Sequence, residues 1–246
     1  MARMVLLVLG ATILVLNSTV YAGVPSYIRT CGRRNPNFDQ CVIDSVDNLL
    51  PRLKHGIPEL NVPGIEPMEV EEIPLSELKD FRAVAYNVKL SGVSNFKIKF
   101  LHVDLEKQQI DLEIIFPKII MNSDYDVNAK ILVPIHEKGP IQTITENVYT
   151  KATLKFEKVT RKGKTRIYFP TITAKVVIPD YEAVFMPGSE SNPVAQAINS
   201  VLVNSRKEII ESMTPNIEKA ISAKVLSVSN LVCKNFTYDE LFPDRE

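Results

Sequence analysis

Apolar residues first recur at helical spacing in FDQCVIDSVDNLLPRL, residues 38–53, where Val42, Val46, Leu49, Leu50 and Leu53 share one face. Asp39 and Asp44 stand near its start, where the helix dipole favours carboxylates. The pattern predicts a helix that ends at Gly56 and Pro58. The next stretch, HGIPELNVPGIEPMEV (residues 55–70), holds prolines at 58, 63 and 67, which stop both helix and regular strand pairing. Ile57, Leu60, Val62 and Ile65 lie between them. An extended strap is expected, packed over one end of the body, either as a tunnel mouth or plug or as a plain connector.

From residue 81 to about 185 the period changes to two. Val84, Tyr86, Val88 and Leu90 form one run; Ile110, Leu112, Ile114 and Phe116 a second; Val127, Ala129, Ile131 and Val133 a third. Val148, Ala152, Leu154 and Phe156 share a face of a fourth, and the chain turns at Lys162-Gly163 to return as another. Such runs read as antiparallel strands with one apolar face. The phase slips at Phe100-Leu101 and at Pro170 predict bulges that curve the sheet.

After Gly188 the helical period returns, from Pro193 to about Val228: Ala197/Ile198, Val201/Leu202, Ile209/Ile210, Met213, Ile217, Ala220/Ile221 and Val225. Pro215 is expected to kink or interrupt this helix. At ~1.5 Å per residue a continuous helix would exceed ~45 Å, and only the concave face of the sheet is long enough to bury its stripe. The predicted class is α+β, a long C-terminal helix wrapped by a highly curved antiparallel sheet.

The N-terminus changes the setting rather than the fold. Arg3, the apolar run Met4 to Leu16 and Val20-Tyr21-Ala22 have the form of a signal peptide, residues 1–22, leaving 23–246 as one expected domain. Lys+Arg and Asp+Glu are equal at 29 each, which argues against a nucleic-acid partner and makes membrane contact expected to be absent or transient. In an oxidising compartment the near pair of the three cysteines, Cys31 and Cys41, is favoured for a disulfide. Cys233 is then a buried free thiol or pairs elsewhere. Asn235-Phe236-Thr237 is a glycosylation sequon.

Candidate chemistry is sparse. The three histidines, His55, His102 and His136, have no metal-ligand spacing, and phosphate-cradling glycine loops and G-x-S-x-G are absent. His102 beside Asp104 reads as an outward-facing strand residue near a solvated acid. No enzyme and no cofactor is expected. The aromatic residues of the strands fill a core or line a cavity suited to a lipid-like ligand.

CGRRNPNFDQCVIDSVDNLLPRLKHGIPELNVPGIEPMEV, ILVPIHEKGPI, INSVLVNSRKEI and YDELFPD together resemble the insect takeout and juvenile-hormone-binding protein family, over almost the whole chain after Ala22. The resemblance implies a sheet curled round a long helix, enclosing an elongated apolar tunnel. It implies extracellular carriage of juvenile hormone-like terpenoids or other lipids, with ties to circadian and feeding regulation in some members. It also implies the Cys31–Cys41 disulfide. The chain departs from the family pattern at Arg206, where takeout-like chains carry tryptophan, and at Glu66, where aspartate is usual.

From the strand phase, inward positions expected to line the tunnel are Val88, Leu90, Phe100, Leu112, Ile114, Phe116, Ile131 and Val133. Helix positions Ile198, Leu202, Ile209 and Met213 would face them. A monomer is expected, with a small hydrophobic ligand as partner. The competing expectation is an extracellular protein-interaction module with a filled core and no ligand.

Overall fold

The computed structural model describes residues 23–78, 81–130, 134–185, 196, 200 and 203–246. Helix α1 (Phe38–His55) leads through a short 3-10 turn (Pro58–Leu60) into strands β1 (Met68–Leu78), β2 (Phe81–Ser91), β3 (Lys97–Asp104), β4 (Gln109–Lys130), β5 (Pro134–Arg161), β6 (Lys164–Val177) and β7 (Glu182–Phe185). Helices α2 (Arg206–Cys233) and α3 (Tyr238–Leu241) complete the described chain. The strands of the described residues pair antiparallel, in the order β1-β2-β4-β5-β6, with β3 beside β4 and β7 beside β5. The result is a curled sheet, a half-barrel with α2 lying against both of its edge strands, β1 and β6.

Two of the sequence runs prove to be one strand. β4 is 22 residues long and carries both the 110–116 run and the start of the 127–133 run. Its partner β5 is 28 residues long and stays in one register from Gln109↔Lys155 to Lys130↔Pro134. The inward face nevertheless changes phase midway. Ile110, Leu112 and Phe116 pack inward before Pro117, whereas Ile119 and Met121 do so after it. On β5, Val148, Thr150, Ala152 and Leu154 are buried on one side of Asn147, while on the other Ile141, Thr143 and Thr145 are half-buried, as is Ile144. Pro117 lacks an N–H to donate, and Asn147 opposite it adopts φ 54°. Both strands therefore switch faces at one rung, which bends the sheet without a register shift.

Other bends are bulges. The slip at Phe100 is a register shift between Ile98 and Phe100, and the slip at Pro170 is a shift at Lys155/Glu157 on the partner strand. β1 begins earlier than the period-two signal suggested, because Pro74 and a bulge at Pro74/Ser76 break its alternation. As an edge strand it tolerates the missing donor. Gly92 holds φ 89° where the chain turns from β2 toward β3, and a Cβ there would overlap the Lys118 carbonyl oxygen.

α1 ends at Gly56, and the strap then folds on itself through the Ile57↔Val62 bridge. Ile57, Leu60 and Val62 are buried with Ile28 and Phe236 in a cluster that Leu49, Leu53, Val228 and Leu231 flank. Ile65 joins the core under β1 and β2. The prolines thus prevent regular pairing while the apolar residues between them cap one end of the body. Glu66 pins the strap. Its carboxylate accepts hydrogen bonds from Gly92 N–H (2.6 Å), Ser94 N–H (3.1 Å) and Ser94 Oγ–H (2.7 Å). Burial alone would raise its pKa, but these donors hold it below the usual glutamate value. Cys31 and Cys41 form the disulfide, with Cα atoms 5.8 Å apart, tying the N-terminal segment to α1.

α2 runs through Pro215 rather than breaking there, and ends at Cys233, past the expected Val228. The proline removes one backbone donor, but packing inside the sheet keeps the helical path. Segment 193–205, where the pattern first became helical, lies mostly outside the described residues.

Candidate ligand-binding interior

The interior is built where the concave face meets α2. At one end Ile65, Met68, Ile73, Ala85, Val88, Leu90 and Val93 are buried together, and Phe116, Met121, Ile217 and Ile221 pack against them. At the other end Ala152, Leu154, Phe156, Ile167, Phe169 and Tyr238 form a second cluster, flanked by Ile110, Leu112, Leu226 and Cys233. Edge-to-face rings stiffen each end: Phe96 with Phe116 and Phe156 with Phe169, both with centroids 6.1 Å apart.

Between these ends the packing changes. None of the 28 residues of α2 is buried, although the helix lies against the sheet and presents Ile217, Ile221 and Leu226 to the clusters. Every residue of β4 from Gln109 to Phe116 is likewise only half-buried. Close-packed cores leave Ile, Leu and Phe almost wholly inaccessible. α2 is amphipathic, and its apolar stripe meets the sheet without any of its residues being fully buried.

Hydrogen bonds close the seam between α2 and β6. The Asn230 side chain accepts from Phe169 N–H (2.8 Å) and donates to the Phe169 carbonyl (2.9 Å). Farther along, Glu218 accepts from Val176 N–H (2.9 Å) and pairs with Lys175 Nζ (3.2 Å). Two side chains of the helix thus satisfy backbone groups of β6 that a neighbouring strand would otherwise take. A shallow groove of roughly 300 Å³ opens at this seam between Val176, Val177, Ile210, Thr214 and Pro215.

A larger open groove, roughly 750 Å³, lies outside the sheet between α1 and β3. It is lined by Arg33, Asp39, Phe100 and His102 among others. Asp39 accepts from Val103 N–H (2.9 Å) and pairs with His102 Nδ1 (2.9 Å), and that hydrogen bond raises the His102 pKa. The groove's polar lining and position on the outer surface set it apart from the apolar interior.

The sequence-derived lining residues are distributed unevenly. Val88, Leu90 and Phe116 come together in the first cluster, and Leu112 belongs to the second. Ile114 lies between Leu112 and Phe116 on the same face of β4 and is half-buried, as are Ile209 and Met213 on α2. Phe100 is placed elsewhere, 49% exposed, because the bulge after Ile98 shifts the phase and gives the buried positions to Leu101 and Val103. Ile131, Val133, Ile198 and Leu202 lie outside the described residues. Ile217, Ile221 and Leu226 were not among the expected lining positions, although Ile217 and Ile221 continue the helical period that picked out Ile209 and Met213.

Several polar groups sit within this apolar frame. Burial raises the pKa of Tyr125, with the Glu137 charge adding to it, and burial raises that of Tyr181 against the lowering influence of Arg206. Cys233, at the end of α2, is unpaired and keeps some accessible surface, yet the protein packed around it desolvates its thiol and pushes it up to about 12. A thiol so held remains protonated and unreactive at neutral pH. Arg206, the first residue of α2, pairs with Asp180 at 3.2 Å and lies over the Tyr181 ring. Asn235 is exposed, its amide donating to the Leu231 carbonyl at 2.7 Å. Among the described residues no group of three or more His, Cys, Asp or Glu side chains is placed to hold a metal ion.

A half-barrel curled round a long amphipathic helix defines a class of α+β protein represented by the crystal structure of Epiphyas postvittana Takeout 1. This chain is similar to it with a TM-score of 0.74, at 15% identity, covering 87% of this chain and 99% of that one. The model of the haemolymph juvenile hormone binding protein family matches residues 6–243, and the chain belongs to that family, whose members bind hydrophobic ligands. Similar relatives include the "Putative beta-carotene-binding protein" of Schistocerca gregaria, 23% identical over 89% of each chain. The circadian clock-controlled protein daywake of Drosophila melanogaster is 24% identical over 89% of this chain and 88% of its own.

Proposed function

We propose that the chain is a secreted carrier that holds a small hydrophobic ligand, a terpenoid or another lipid, in an elongated apolar tunnel between α2 and the concave sheet. One observation carries the reading: α2 packs its apolar stripe toward the sheet, yet none of its residues is buried. Residues assigned to the lining are Val88, Leu90, Leu112, Ile114, Phe116, Ile209 and Met213, with Ile131, Val133, Ile198 and Leu202 assigned by pattern alone. Burial stabilises such a ligand by ~25 cal/mol per Å² of apolar surface, enough for a long-chain lipid to bind at about micromolar affinity after immobilisation costs. Buried hydroxyls on the inner face, such as Thr150, would orient a polar head group. The N-terminal apolar segment, the Cys31–Cys41 disulfide and the exposed sequon at Asn235 support secretion. The name of the Drosophila relative supports a role in circadian regulation.

Ile114→Phe tests the assignment, because it adds bulk to the inner face midway between the two clusters. In a tunnel the larger ring is accommodated, stability stays within ~1 kcal/mol of the parent, and affinity for an apolar fluorescent probe drops about tenfold. In a filled core the same change costs ~1–3 kcal/mol and neither protein binds the probe. The second pattern would overturn the carrier reading.

A further inference from the structure

The chain is neutral as a whole, with 29 cationic and 29 acidic side chains, but the charge is not evenly spread. Residues 155–166, KFEKVTRKGKTR, hold six cations against one carboxylate. They form the end of β5 and the start of β6. β4 reaches only to Gln109, opposite Lys155. Gln108 makes two further contacts: its carbonyl accepts from Phe156 N–H (2.9 Å), and its side chain accepts from Lys158 N–H (3.3 Å). Past that point β5 and β6 continue as a two-stranded ribbon, paired from Glu157↔Tyr168 to Arg161↔Lys164. Its tip stands six residues beyond Lys155, roughly 20 Å at ~3.3 Å per residue.

Three features of this ribbon oppose its own stability. Arg161 and Lys164 are direct cross-strand partners, and like charges so placed repel. Lys162 holds the first central position of the turn at φ 51°, followed by Gly163 at 72°. A two-residue turn with both angles positive favours asparagine at that first position, so lysine is a strained choice. Finally, among the described residues none of Lys155, Lys158, Arg161, Lys162, Lys164 and Arg166 forms an ion pair within 4.0 Å, although Lys158 Nζ lies 4.4 Å from the centroid of the Tyr238 ring. Some cations elsewhere do form such pairs, such as Lys138 with Asp126 at 2.7 Å, whereas others, such as Lys97 and Lys224, do not. Glu240 lies within electrostatic reach of Lys164 and Arg166, but its carboxylate is engaged by the N–H and hydroxyl of Thr237 at 2.6 and 2.8 Å. Locally unfavourable choices gathered in one element mark a site kept for something other than folding.

We propose that the β5–β6 tip docks the protein on an anionic lipid bilayer, where the carrier takes up or releases its apolar cargo; the cargo clause rests on the carrier reading above. Five of the six cations are exposed, on long flexible side chains, and Arg166 is half-buried. A protein interface would need about 1,000 Å² of complementary surface with apolar or aromatic anchors near its centre. Apart from Val159 and, at its base opposite Glu157, Tyr168, the ribbon offers no exposed anchor of this kind. A bilayer rich in acidic headgroups asks only for clustered positive charge. Tyr168, 49% exposed on the same ribbon, has the amphipathic ring that suits the headgroup layer.

The test is sedimentation of the full protein with phosphatidylcholine vesicles, with and without phosphatidylserine, at low and high salt. The protein should pellet with the phosphatidylserine vesicles alone, and salt should release it. The variant Arg161→Gln/Lys162→Asn/Lys164→Gln installs the favoured Asn-Gly turn and removes the repelling pair. It should melt no lower than the parent yet bind the acidic vesicles about a hundredfold more weakly. Undiminished binding by that variant, or no binding by the parent, overturns the proposal. So does retention of the parent on immobilised polyglutamate without vesicle binding, which would assign the tip to an acidic protein. Apolar-probe binding without vesicles reports on the carrier separately and should be the same for parent and variant. Docking without probe binding would sink the carrier reading and leave the docking surface standing.

Discussion

Asp39 does two jobs at the start of α1. It lies in the first helical turn, where a carboxylate is favoured, and it reaches across to Val103 N–H and His102 of β3. The hydrogen bond that the Asp39 carboxylate accepts from His102 is the main cause of the raised His102 pKa; burial opposes it, and the Asp39, Asp104 and Asp111 charges add to it. A raised value in the folded state means that the charged link contributes fully below about 6.5 and is lost as pH rises through the folded pKa. His102 is half-exposed, so solvent screening keeps the effect on stability small, and the titration itself is the better readout. By NMR His102 should titrate above 6.5 in the parent, and Asp39→Asn should bring it down toward that value. A parent value at or below 6.5 would contradict the contact. At this scale the sequence revealed the residues but not the pairing. The ordinary reading of His102, an outward strand residue beside an acid, was sound, whereas its partner lies 63 residues away and only the fold brings the two together.

At the scale of elements, α2 acts as the missing strand of an open sheet. β6 has β5 on one side only, and on its other side Asn230 and Glu218 meet the backbone of Phe169 and Val176. Asn230→Ala leaves an N–H and a carbonyl of Phe169 without these partners at a part-buried site. It should cost ~1–3 kcal/mol in denaturant unfolding, with faster hydrogen exchange at the Phe169 amide. An unchanged midpoint and unchanged exchange would show that water already serves these groups. The elements themselves were largely legible. The α1 span, the Lys162-Gly163 turn and the bulges at Phe100 and Pro170 follow from local periodicity, because each is a local break in phase. The unity of β4 was not legible. Pro117 reads as a strand end, and its tolerance depends on Asn147 yielding on the opposite strand, a fact about pairing rather than about either segment.

For the whole molecule, the curled sheet and the helix inside it were predictable from length alone: a helical stripe that long has one surface available to cover it. Whether that interior is hollow was not, since inward-facing Ile114 has the same sequence pattern in a filled core and in a tunnel. Averages concealed one further feature. Equal totals of acidic and basic residues suggested little affinity for membranes, yet the fold gathers six of the cations on one projecting ribbon. Native mass spectrometry of the protein secreted from insect cells, followed by solvent extraction and lipid analysis, asks whether the interior holds a ligand. On the carrier reading the protein should show a stoichiometric apolar adduct that denaturation releases, in addition to any glycan at Asn235. A native mass equal to that of the polypeptide and its glycan, with no apolar compound in the extract and no probe binding afterwards, would contradict it.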